Sequence, residues 1–472
     1  MAQIETDYLV VGAGASGMAF ADTLVANSDA DVVLVDRRHR PGGHWVDDYG
    51  FVRLHQPSAL YGVDSRPLGN DRIDTSGPNA GFYERATGAE LCDYYTRVLD
   101  EQLMATGRVR FFGMCDYAGG AAGSHRFVSR VTGRTSTVRV RRKLVDATYI
   151  QTTTPAHHTP AFSVDPGARV VTPNALVEGN HAGSGYTVLG AGKTSMDTCC
   201  WLIDNGVDPE DIRWIRPRDV WTMDRGAVQP LELVGSIVNV FAAWTDAAVE
   251  ATDPTDFVRR LEGCGSLIRL DPDVEPEIFR GAILSADERT ALRSISNVVR
   301  LGHVLRIGTD EIELERGSIP TDREQIHVDC TAPGLGMPPE RPIFEPDRII
   351  IQRVQFGLDV FSPAMIGLVE ATRDDDDEKN RLCPPVPAFG ATTEFARDFT
   401  RAFLVSQRSR LAWMAEPDLD QWLNATRLGF FRGIAEHLTD PEDQANLMSM
   451  MQNTGPALEN LDRIVAAEMA EA

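Results

Sequence analysis

The chain has 472 residues, of which 43% are hydrophobic and 24% are charged, and its formal net charge at pH 7 is -23. This length exceeds one ordinary hydrophobic core, so we expect two to four domains or lobes. The acidic balance argues against nucleic acid and anionic membrane surfaces as partners, because both require a basic footprint.

The sequence indicates a soluble, cytoplasmic protein. No basic leader precedes the first apolar run, and the longest apolar stretch, residues 233–244, is too short to span a bilayer. Of the seven cysteines, none forms a C-x-x-C pair or a cluster with zinc-ligand spacing, so we expect no metal and no dithiol centre. The adjacent Cys199 and Cys200 are predicted to be core residues of a helix.

Residues 7–36 have the pattern of one βαβ unit: an apolar run at 8–11, a glycine turn at 12–17, a helical segment at 18–27 and a second apolar run at 32–35. Gly12 permits the tight turn, Gly14 allows the backbone to approach a pyrophosphate, and Gly17 lets the helix pack on the strand. Asp36 can accept hydrogen bonds from a ribose diol. The predicted dinucleotide contacts are Gly12, Gly14, Ala15, Ser16, Gly17 and Asp36.

A second glycine turn follows at residues 41–45, which read Pro-Gly-Gly-His-Trp. Paired glycines let the backbone lie against a flat cofactor, and Trp45 can pack beside it. After the first unit, this turn resembles the G-G-x-W element of flavin-containing and Baeyer–Villiger monooxygenases. The resemblance covers most of residues 1–370 and implies FAD as the first cofactor, with Arg37, Gly43, His44 and Trp45 among its contacts.

The resemblance continues in residues 49–57, where those families carry an arginine-leucine stretch close to the flavin ring. It makes His55 a candidate donor of a hydrogen bond to a flavin oxygen species and Gln56 a candidate contact of the isoalloxazine edge. Arg53 is a candidate for binding an anionic substrate or a phosphate. A polar residue that caps a loop is the open alternative for His55 and Gln56.

The rest of the first part of the FAD-binding domain, residues 1–160, is predicted to alternate between helix and strands. Residues 81–107 have a helical pattern, and residues 109–112 a strand that extends the sheet in parallel. The residues from 119 to 140 indicate a small antiparallel meander, and residues 143–149 a strand leading out of the domain. By the resemblance, Met114 and Cys115 are candidate contacts of the FAD adenine.

A second dinucleotide unit lies in residues 186–215 and predicts an NAD(P)-binding domain over residues 161–325. Ser195 replaces the third glycine, a variant common in NADP-binding units, and Arg216 or Arg218 can pair with a 2′-phosphate, which favours NADPH over NADH. A nucleotide triphosphate loop ending at Lys193 would require glycine where Thr187 stands. The predicted contacts are Gly190, Gly192, Lys193, Thr194, Ser195, Arg216 and Arg218.

The remaining segments are predicted to shape a substrate cavity and to complete the flavin lobe. Residues 255–305 are mostly helical in pattern, 304–314 resemble a strand hairpin, and 326–332 a buried strand. By the resemblance, residues 326–385 return the chain to the FAD-binding domain, with Ala332 as a contact and residues 361–367 against the flavin ring. The charge run at 374–379 is interpreted as a solvated loop.

Residues 386–472 are predicted to form a helical C-terminal region. Its aromatic residues are interpreted as core or as cover for a lobe interface, and a substrate wall or a homodimer contact is left open. The predicted fold class is therefore α/β, with two Rossmann-like three-layer dinucleotide-binding domains, for FAD and NAD(P), and an added helical C-terminal region.

Two dinucleotide units in one chain imply hydride transfer from NADPH to flavin. Because no C-x-x-C pair is available to take the electrons, oxygen is the expected acceptor, and a flavin hydroperoxide in a dry pocket would oxidise a small organic molecule. The F-x-G-x-x-x-H-x-x-x-[WY] element expected before the second unit is absent, which counts against Baeyer–Villiger chemistry. Two alternatives remain: a dehydrogenase or reductase serving a quinone or partner protein, and a non-catalytic FAD-binding protein.

Overall fold

The structure, a computed structural model, describes residues 4–121, 123–179, 181, 185–357, 359–389 and 394–471. Within these ranges the strands form sheets of eight, five, four, three and two strands. The two largest sheets carry the two predicted dinucleotide units, which confirms the α/β fold class. Ala122, in the predicted meander, lies outside the described residues.

The first domain is built around the βαβ unit of residues 4–35. Its strands and helices are β1 Ile4–Val11, α1 Ala15–Ala26, β2 Val32–Val35, α2 Gly88–Arg97, β3 Val109–Phe112, β4 Cys115–Ala121, β5 Ser124–Ser129 and β6 Thr135–Asp146. Strand β1 runs parallel to β2 and to β6, and β2 runs parallel to β3. Leu34 and Val33 enter cores on opposite faces of the sheet, because neighbouring side chains of a strand point to opposite sides.

The predicted helix over residues 81–107 is shorter in the structure. A capping box between Thr87 and Glu90 begins α2 at Gly88, and irregular helical turns continue it to Thr106. Residues 81–87 do not join the helix, because Tyr83 and Thr87 form extended bridges to Ile73 and Arg53.

The second domain contains the second unit and a large insertion, residues 216–296. Its elements are β7 Thr152–Thr153, β8 Ser163–Val164, β9 Arg169–Val171, α3 Pro173–Glu178, β10 Tyr186–Leu189, α4 Lys193–Asp204, β11 Ile212–Ile215, β12 Val220–Asp224, α5 Gly235–Glu250, α6 Pro254–Gly263, β13 Ile268–Arg269, β14 Ile278–Leu284, α7 Ala286–Arg293, β15 Asn297–Val299, β16 Val304–Ile307, β17 Glu311–Leu314, β18 Gly317–Pro320 and β19 Ile326–Asp329. The five-stranded sheet has the order β15-β11-β10-β19-β9.

Two sequence predictions for this domain are wrong. Residues 255–305 are not mostly helical, because β14 runs parallel to β12 in a three-stranded sheet that also holds β13. Strand β19 does not return to the first sheet, because it lies between β10 and β9 in the second. The apolar runs were correct, but a short buried run does not reveal which sheet or even which element type it joins.

The last part of the chain returns to the first sheet and then becomes helical. Its elements are β20 Gly334–Leu335, β21 Phe344–Glu345, β22 Arg348–Ile350, α8 Phe361–Thr372, α9 Asp376–Leu382, α10 Phe395–Met414, α11 Pro417–Ala425, α12 Ile434–His437 and α13 Pro441–Glu471. Strand β22 pairs in parallel with β6 and makes the return. Helix α8 packs on α1 at Gly367, where an added Cβ would lie 2.7 Å from the Phe20 carbonyl oxygen.

The apolar segment around α5 is longer than the sequence analysis predicts. Residues Leu231–Glu250 form one helical segment with a mean hydropathy of 1.2, long and apolar enough by length and composition to cross a membrane. Half of the most apolar stretch of this segment is buried inside the protein. The segment packs along α13, whose Asn460 donates hydrogen bonds to the carbonyl oxygens of Ala248 and Ala251 at the end of α5.

The charge run at residues 374–379 is only partly a solvated loop, because Asp374, Asp375 and Asp377 are exposed whereas Lys379 is buried in the first turn of α9. Lys379 is buried and donates to Glu370 at 2.7 Å, and Tyr8 donates to the other Glu370 oxygen at 2.7 Å. Lys143 pairs with Asp376 at 2.5 Å. These partners lie far apart in the sequence, and Asp376 and Lys379 join them in an ion network that fastens the start of α9 to β1 and β6.

Candidate functional site

A cavity of about 890 Å³ extends from the first glycine turn to the second and onward between the insertion and the C-terminal region. The structure brings most of the predicted site residues to its wall. Those that line it are Gly12, Gly14, Ala15, Ser16, Asp36, Arg37, Gly43, His44, Trp45, Arg53, His55, Gln56, Cys115, Gly190, Gly192, Lys193, Thr194, Arg218 and Ala332. The walls do not include Gly17, Ser195 or Arg216.

The first glycine turn leaves no room for side chains. Gly12 has a φ of +100°, in the left-handed region that favours glycine. An added Cβ on Gly43 would lie 2.7 Å from the Gly14 Cα, so the two glycine turns touch backbone to backbone. An added Cβ on Gly17 would lie 1.9 Å from the Gly12 carbonyl oxygen, which gives Gly17 its predicted packing role away from the cavity.

Helix α1 presents its N-terminus to this part of the cavity. Its N-cap residue, Gly14, provides no side-chain cap, and its first turn contains no acidic residue. The N–H groups at the start of a helix lack intrahelical acceptors and attract anions. Ala15 and Ser16, which begin α1, line the cavity and place these groups where a pyrophosphate would lie.

The Asp36 carboxylate is held rigidly at the end of β2. Its Oδ2 accepts a hydrogen bond from the Ala13 N–H at 2.7 Å, and its Oδ1 accepts one from the Arg38 N–H at 2.7 Å. A carboxylate has about four lone-pair sites, so it retains acceptor capacity for a ribose diol. The structure thus holds the Asp36 carboxylate at the glycine turn.

Trp45 is fixed by a tyrosine that the sequence analysis did not identify. Its indole Nε1–H donates to the Tyr61 hydroxyl at 3.1 Å, and the two rings meet edge to face at 6.0 Å. His44 pairs with Asp48 at 2.9 Å and lies beside the Trp45 ring. Tyr61 also lines the cavity, so a pair of orthogonal rings shapes its wall beside the second glycine turn.

The three candidate catalytic residues lie on one cavity-facing loop. Arg53 donates to the Arg85 carbonyl at 3.2 Å, and Gln56 donates to the Leu60 carbonyl at 3.4 Å. The His55 Nδ1 lies 3.3 Å from the Gly281 carbonyl oxygen of β14. This contact joins the first domain to the insertion of the second.

In the structure His55 makes its hydrogen bond to a backbone carbonyl, and its predicted donor role toward a flavin oxygen species stays a prediction. Burial, together with the positive charge of Lys193, lowers the pKa of His55 to about 4, so its ring is neutral at pH 7. Because a carbonyl oxygen can only accept, Nδ1 carries the proton of the bond to Gly281 and Nε2 is left as an acceptor. His55 therefore offers the cavity a proton acceptor.

The glycine turn of the second dinucleotide unit, residues 190–195, repeats the geometry of the turn at residues 12–17. Gly190 has a φ of +114°, and its N–H donates to the Ile215 carbonyl at 2.9 Å, as the Gly12 N–H donates to Val35 at 2.8 Å. The buried Trp214 indole N–H donates to the Gly190 carbonyl at 2.7 Å and stabilises the turn. Ser195 is buried, and its hydroxyl donates to the Gly192 carbonyl at 2.7 Å, so it stabilises the helix start.

A polar cluster joins the start of α4 to the first domain. Lys193 pairs with Asp197 one helical turn later, and the Tyr49 hydroxyl donates to the other Asp197 oxygen at 2.9 Å. Tyr49 and Lys193 both line the cavity. The sequence analysis did not identify Tyr49 or Asp197, because their relationship depends on residues 148 positions apart.

The two predicted phosphate-binding arginines have different environments in the structure. Arg216 is buried, pairs with Asp219 at 3.1 Å and lies over the Trp214 ring at 4.9 Å, so it is not a cavity cation. Arg218 lines the cavity, together with Arg280 of β14. Partial desolvation and the positive charge of Arg218 lower the pKa of Arg280.

Two further contacts implied by the resemblance differ in the structure. Met114 does not line the cavity, whereas Cys115 does, and Asp116 and Tyr117 follow it along β4. Residues 361–367 do not reach the cavity, because they form the buried start of α8. Phe356, Gly357 and Asp359, just before that helix, occupy the wall instead.

Among the residues that the structure describes, no group of three or more histidine, cysteine or acidic side chains is arranged to hold a metal ion. The seven cysteines are all free, and six of them are not exposed. Burial raises the pKa of Cys199 well above its usual value and that of Cys200 to about 12, so both are protonated at pH 7.

Comparison with known proteins places these features in context. Residues 10–51 match a family model described as an NAD(P)-binding Rossmann-like domain. The uncharacterized protein Rv2000 of Mycobacterium tuberculosis (strain H37Rv) is 42% identical over 470 residues, which are 99% of this chain and 86% of that protein. The uncharacterized protein Mb2023 of Mycobacterium bovis matches to the same extent.

Solved structures with a similar fold are distant in sequence. A polycyclic ketone monooxygenase from the thermophilic fungus Thermothelomyces thermophila has a TM-score of 0.51 at 12% identity, over 96% of this chain and 89% of that one. A cyclohexanone monooxygenase with bound epsilon-caprolactone has a TM-score of 0.51 at 13% identity, over 89% of this chain and 99% of that one. These likenesses establish the fold.

Proposed function

Because this chain belongs to one family with Rv2000 and has the fold of the flavoprotein monooxygenases, we propose that it is an FAD- and NADPH-dependent monooxygenase of small organic molecules. The observation that carries the proposal is one cavity lined by two glycine turns at helix N-termini, a ribose-binding carboxylate and a separate pair of arginines. Each half fits a different dinucleotide.

The first half fits FAD. Gly14 and Gly43 both line the cavity, where their bare backbones can approach a pyrophosphate and a flat ring, and Asp36 offers the ribose acceptor. The family model that matches this unit is described as NAD(P)-binding. We assign FAD to it because the Trp45–Tyr61 pair and the 53–56 loop extend the same wall beyond a nucleotide, as a flavin ring requires.

The second half fits NADPH. Lys193 lies at the start of α4, where the helix N-terminus attracts phosphate, and Arg218 and Arg280 lie on the same cavity wall. A guanidinium pairs well with a 2′-phosphate, and a carboxylate in its place would repel one. A steroid monooxygenase with a TM-score of 0.50 was determined with NADP bound.

The cofactors would supply hydride transfer to the flavin and activation of oxygen, with one oxygen atom entering the substrate and the other leaving as water. The residues of the chain bind and orient these cofactors. Asp36, Lys193, Arg218 and Arg280 bind the two dinucleotides, and the Trp45–Tyr61 pair orients the flat ring. The neutral His55 holds an unprotonated Nε2 at the wall, where it accepts a hydrogen bond without adding charge.

The proposal is tested by the colour and the stoichiometry of the purified protein. FAD should copurify, NADPH should bleach it under nitrogen, and NADH should do so more slowly. After oxygen is admitted with a substrate, labelled oxygen from O2 should appear in the product, with little hydrogen peroxide. Bleaching with quantitative release of peroxide, or with transfer only to a quinone, would support a reductase; a colourless protein that binds no FAD would overturn the cofactor assignment.

A further inference from the structure

Beyond the dinucleotide sites, the cavity continues into a region that we call the aromatic chamber. Its wall contains six aromatic side chains that come from α5, from β14 and from three loops of the C-terminal half. They are Phe241, Trp244, Phe279, Phe356, Phe389 and Phe430, and all of them line the cavity.

The six rings form one continuous array. Phe389 stacks on Phe356 at 4.9 Å and on Phe279 at 6.1 Å, with interplanar angles of 23° and 11°. Trp244 meets Phe356 edge to face at 5.7 Å and contacts Phe241 at 5.9 Å. Phe241 in turn lies 5.3 Å from Phe430, which is the last ring of the array.

Rings outside the cavity support the array from behind. Phe399 of α10 contacts Phe356 edge to face at 5.1 Å, and Phe403 lies 5.5 Å from Trp244. Phe399 and Phe403 are buried and do not line the cavity. Ring side chains packed in this way have few alternative rotamers, so the chamber presents fixed faces and edges to a ligand.

The chamber adjoins the candidate catalytic loop. Phe279 is two residues from Gly281, whose carbonyl contacts His55, and Ile283 continues the same cavity wall along β14. Arg218 lies just before β12 and lines the cavity at the proposed nicotinamide nucleotide end. A ligand in the chamber would therefore lie next to the proposed flavin ring.

The charged residues closest to the chamber in sequence are already neutralised or directed elsewhere. Arg353 and Asp359, on either side of Phe356, pair with each other at 3.1 Å. Arg280 follows Phe279 on β14 but is exposed and donates to the Pro333 carbonyl at 2.9 Å. A charged ligand would lose its hydration in the chamber without gaining a free partner, which is costly.

We propose that the aromatic chamber is the substrate subsite of this protein and that it takes an uncharged molecule with an aromatic ring. This inference rests on the proposed function. Aromatic rings gain from stacked and edge-to-face contacts beyond the area that they bury, whereas a saturated skeleton gains only the burial. The fixed orientations of the six rings favour the first kind of ligand.

The experiment measures binding by titration calorimetry to the purified holoenzyme without NADPH. Three probes share one skeleton: 2-naphthol, its saturated analogue decahydro-2-naphthol, and the anion 2-naphthoate. We expect 2-naphthol to bind about tenfold more tightly than either of the others, because it alone combines aromatic faces with neutral charge. Equal or tighter binding of the saturated alcohol or of the anion would overturn the proposal.

Variants locate the binding. Phe241→Leu and Phe279→Leu should each weaken 2-naphthol binding about fivefold, while binding of the saturated alcohol stays nearly unchanged. Phe127→Leu is the matched control, because it removes a buried ring that packs on Phe112 in the first domain and does not line the cavity. Unchanged 2-naphthol affinity in both chamber variants, each shown to be folded by its melting temperature and flavin content, would place the ligand elsewhere.

The two proposals fail separately in these measurements. Selective 2-naphthol binding that the chamber variants weaken, combined with no oxygen transfer to any bound aromatic molecule, would overturn the monooxygenase function and leave a binding chamber. NADPH-dependent oxygen transfer to saturated or charged molecules only would retain the function and overturn the chamber assignment.

Discussion

Tyr49 donates a hydrogen bond to Asp197 across 2.9 Å, and this bond joins a loop of the first domain to the helix that begins the second nucleotide site. Asp197 also pairs with Lys193, so one carboxylate links the two halves of the cavity. The mutual position of the two dinucleotide sites depends in part on this contact.

Tyr49→Phe removes the donor while keeping the ring. We expect the variant to lose about 1–2 kcal/mol of unfolding free energy, because a carboxylate oxygen in a protein-enclosed site is left with one partner fewer. Urea unfolding of Tyr49→Phe, Asp197→Asn and the double variant forms a cycle that isolates the pair. Strictly additive losses would show that the bond contributes nothing.

The two arginines after β11 should have different effects when replaced. Arg218→Ala should weaken NADPH binding by roughly 10- to 100-fold, the value of a charged hydrogen bond, and leave NADH binding unchanged. Arg216→Ala should instead lower the melting temperature, because it removes one of the two guanidinium partners of the buried Asp219 and leaves only Arg300. Flavin bleaching at varied NADPH and NADH concentrations measures nucleotide binding, and thermal melts measure stability. Together they separate the effects of the two substitutions. A loss of NADPH preference in Arg216→Ala with Arg218→Ala unaffected would reverse the assignment.

Glu288 connects the candidate loop to the insertion. The fully buried Arg225 pairs with it at 2.5 Å and also donates from Nε to the His55 carbonyl at 3.3 Å. Burial alone would raise the pKa of Glu288, but Lys193, Arg225 and Arg85 outweigh it and lower the pKa to about 2. The ionised form is therefore favoured by the folded protein.

Glu288→Gln should cost about 3 kcal/mol of unfolding free energy at pH 7, because it leaves buried cations unpaired. A carboxyl group with a depressed folded pKa stabilises the fold fully above its unfolded pKa of 4.5 and loses that contribution as the pH falls toward 2. The difference between wild type and variant, measured by urea unfolding at several pH values, should thus narrow below pH 4.5. A difference independent of pH would exclude an ionic role.

His55 should contribute to the acid sensitivity of the fold. Its folded pKa, about 4, lies below the ordinary value of 6.5. Between pH 4 and pH 6.5 the unfolded chain therefore binds a proton at this residue that the folded protein does not bind. Stability should therefore decrease as the pH falls from 6.5 toward 4, and His55→Asn should lose less over the same range. Thermal melts of both proteins at pH 7 and pH 5 provide the comparison; parallel losses would contradict the low pKa.

Because His55 is neutral above about pH 4, the rate of flavin reduction by NADPH should show no inflection from this residue between pH 5 and 8. A stopped-flow pH profile of wild type and His55→Asn tests this. An inflection near pH 6.5 that disappears in the variant would mean that the histidine titrates in its ordinary range.

Several features of this protein could be read directly from the sequence. Both glycine turns, the strands that flank them and Asp36 were predicted within a few residues, because tight turns and short apolar runs are local properties of the chain. The helical C-terminal region was predicted for the same reason. Its role was not: Phe430 lines the cavity, whereas Leu411 and Met414, from the same apolar pattern, are exposed.

The predictions that failed concern partners far apart in the chain. The charge run at 374–379 looked solvated because Lys143 and Tyr8, which complete its buried network, lie more than 200 residues away. Strand β19 carried the correct apolar pattern, but the pattern cannot specify a neighbouring strand.

The sequence by itself therefore determined that the chain folds around two nucleotide-binding turns, since glycine conformation and strand burial depend on nearby residues. Only the tertiary structure decided which cation faces the cavity, since Arg216 and Arg218 differ in their distant neighbours and not in their local pattern. The tertiary structure also created the aromatic chamber, because its rings come from separate segments that meet only when the insertion packs against the C-terminal helices.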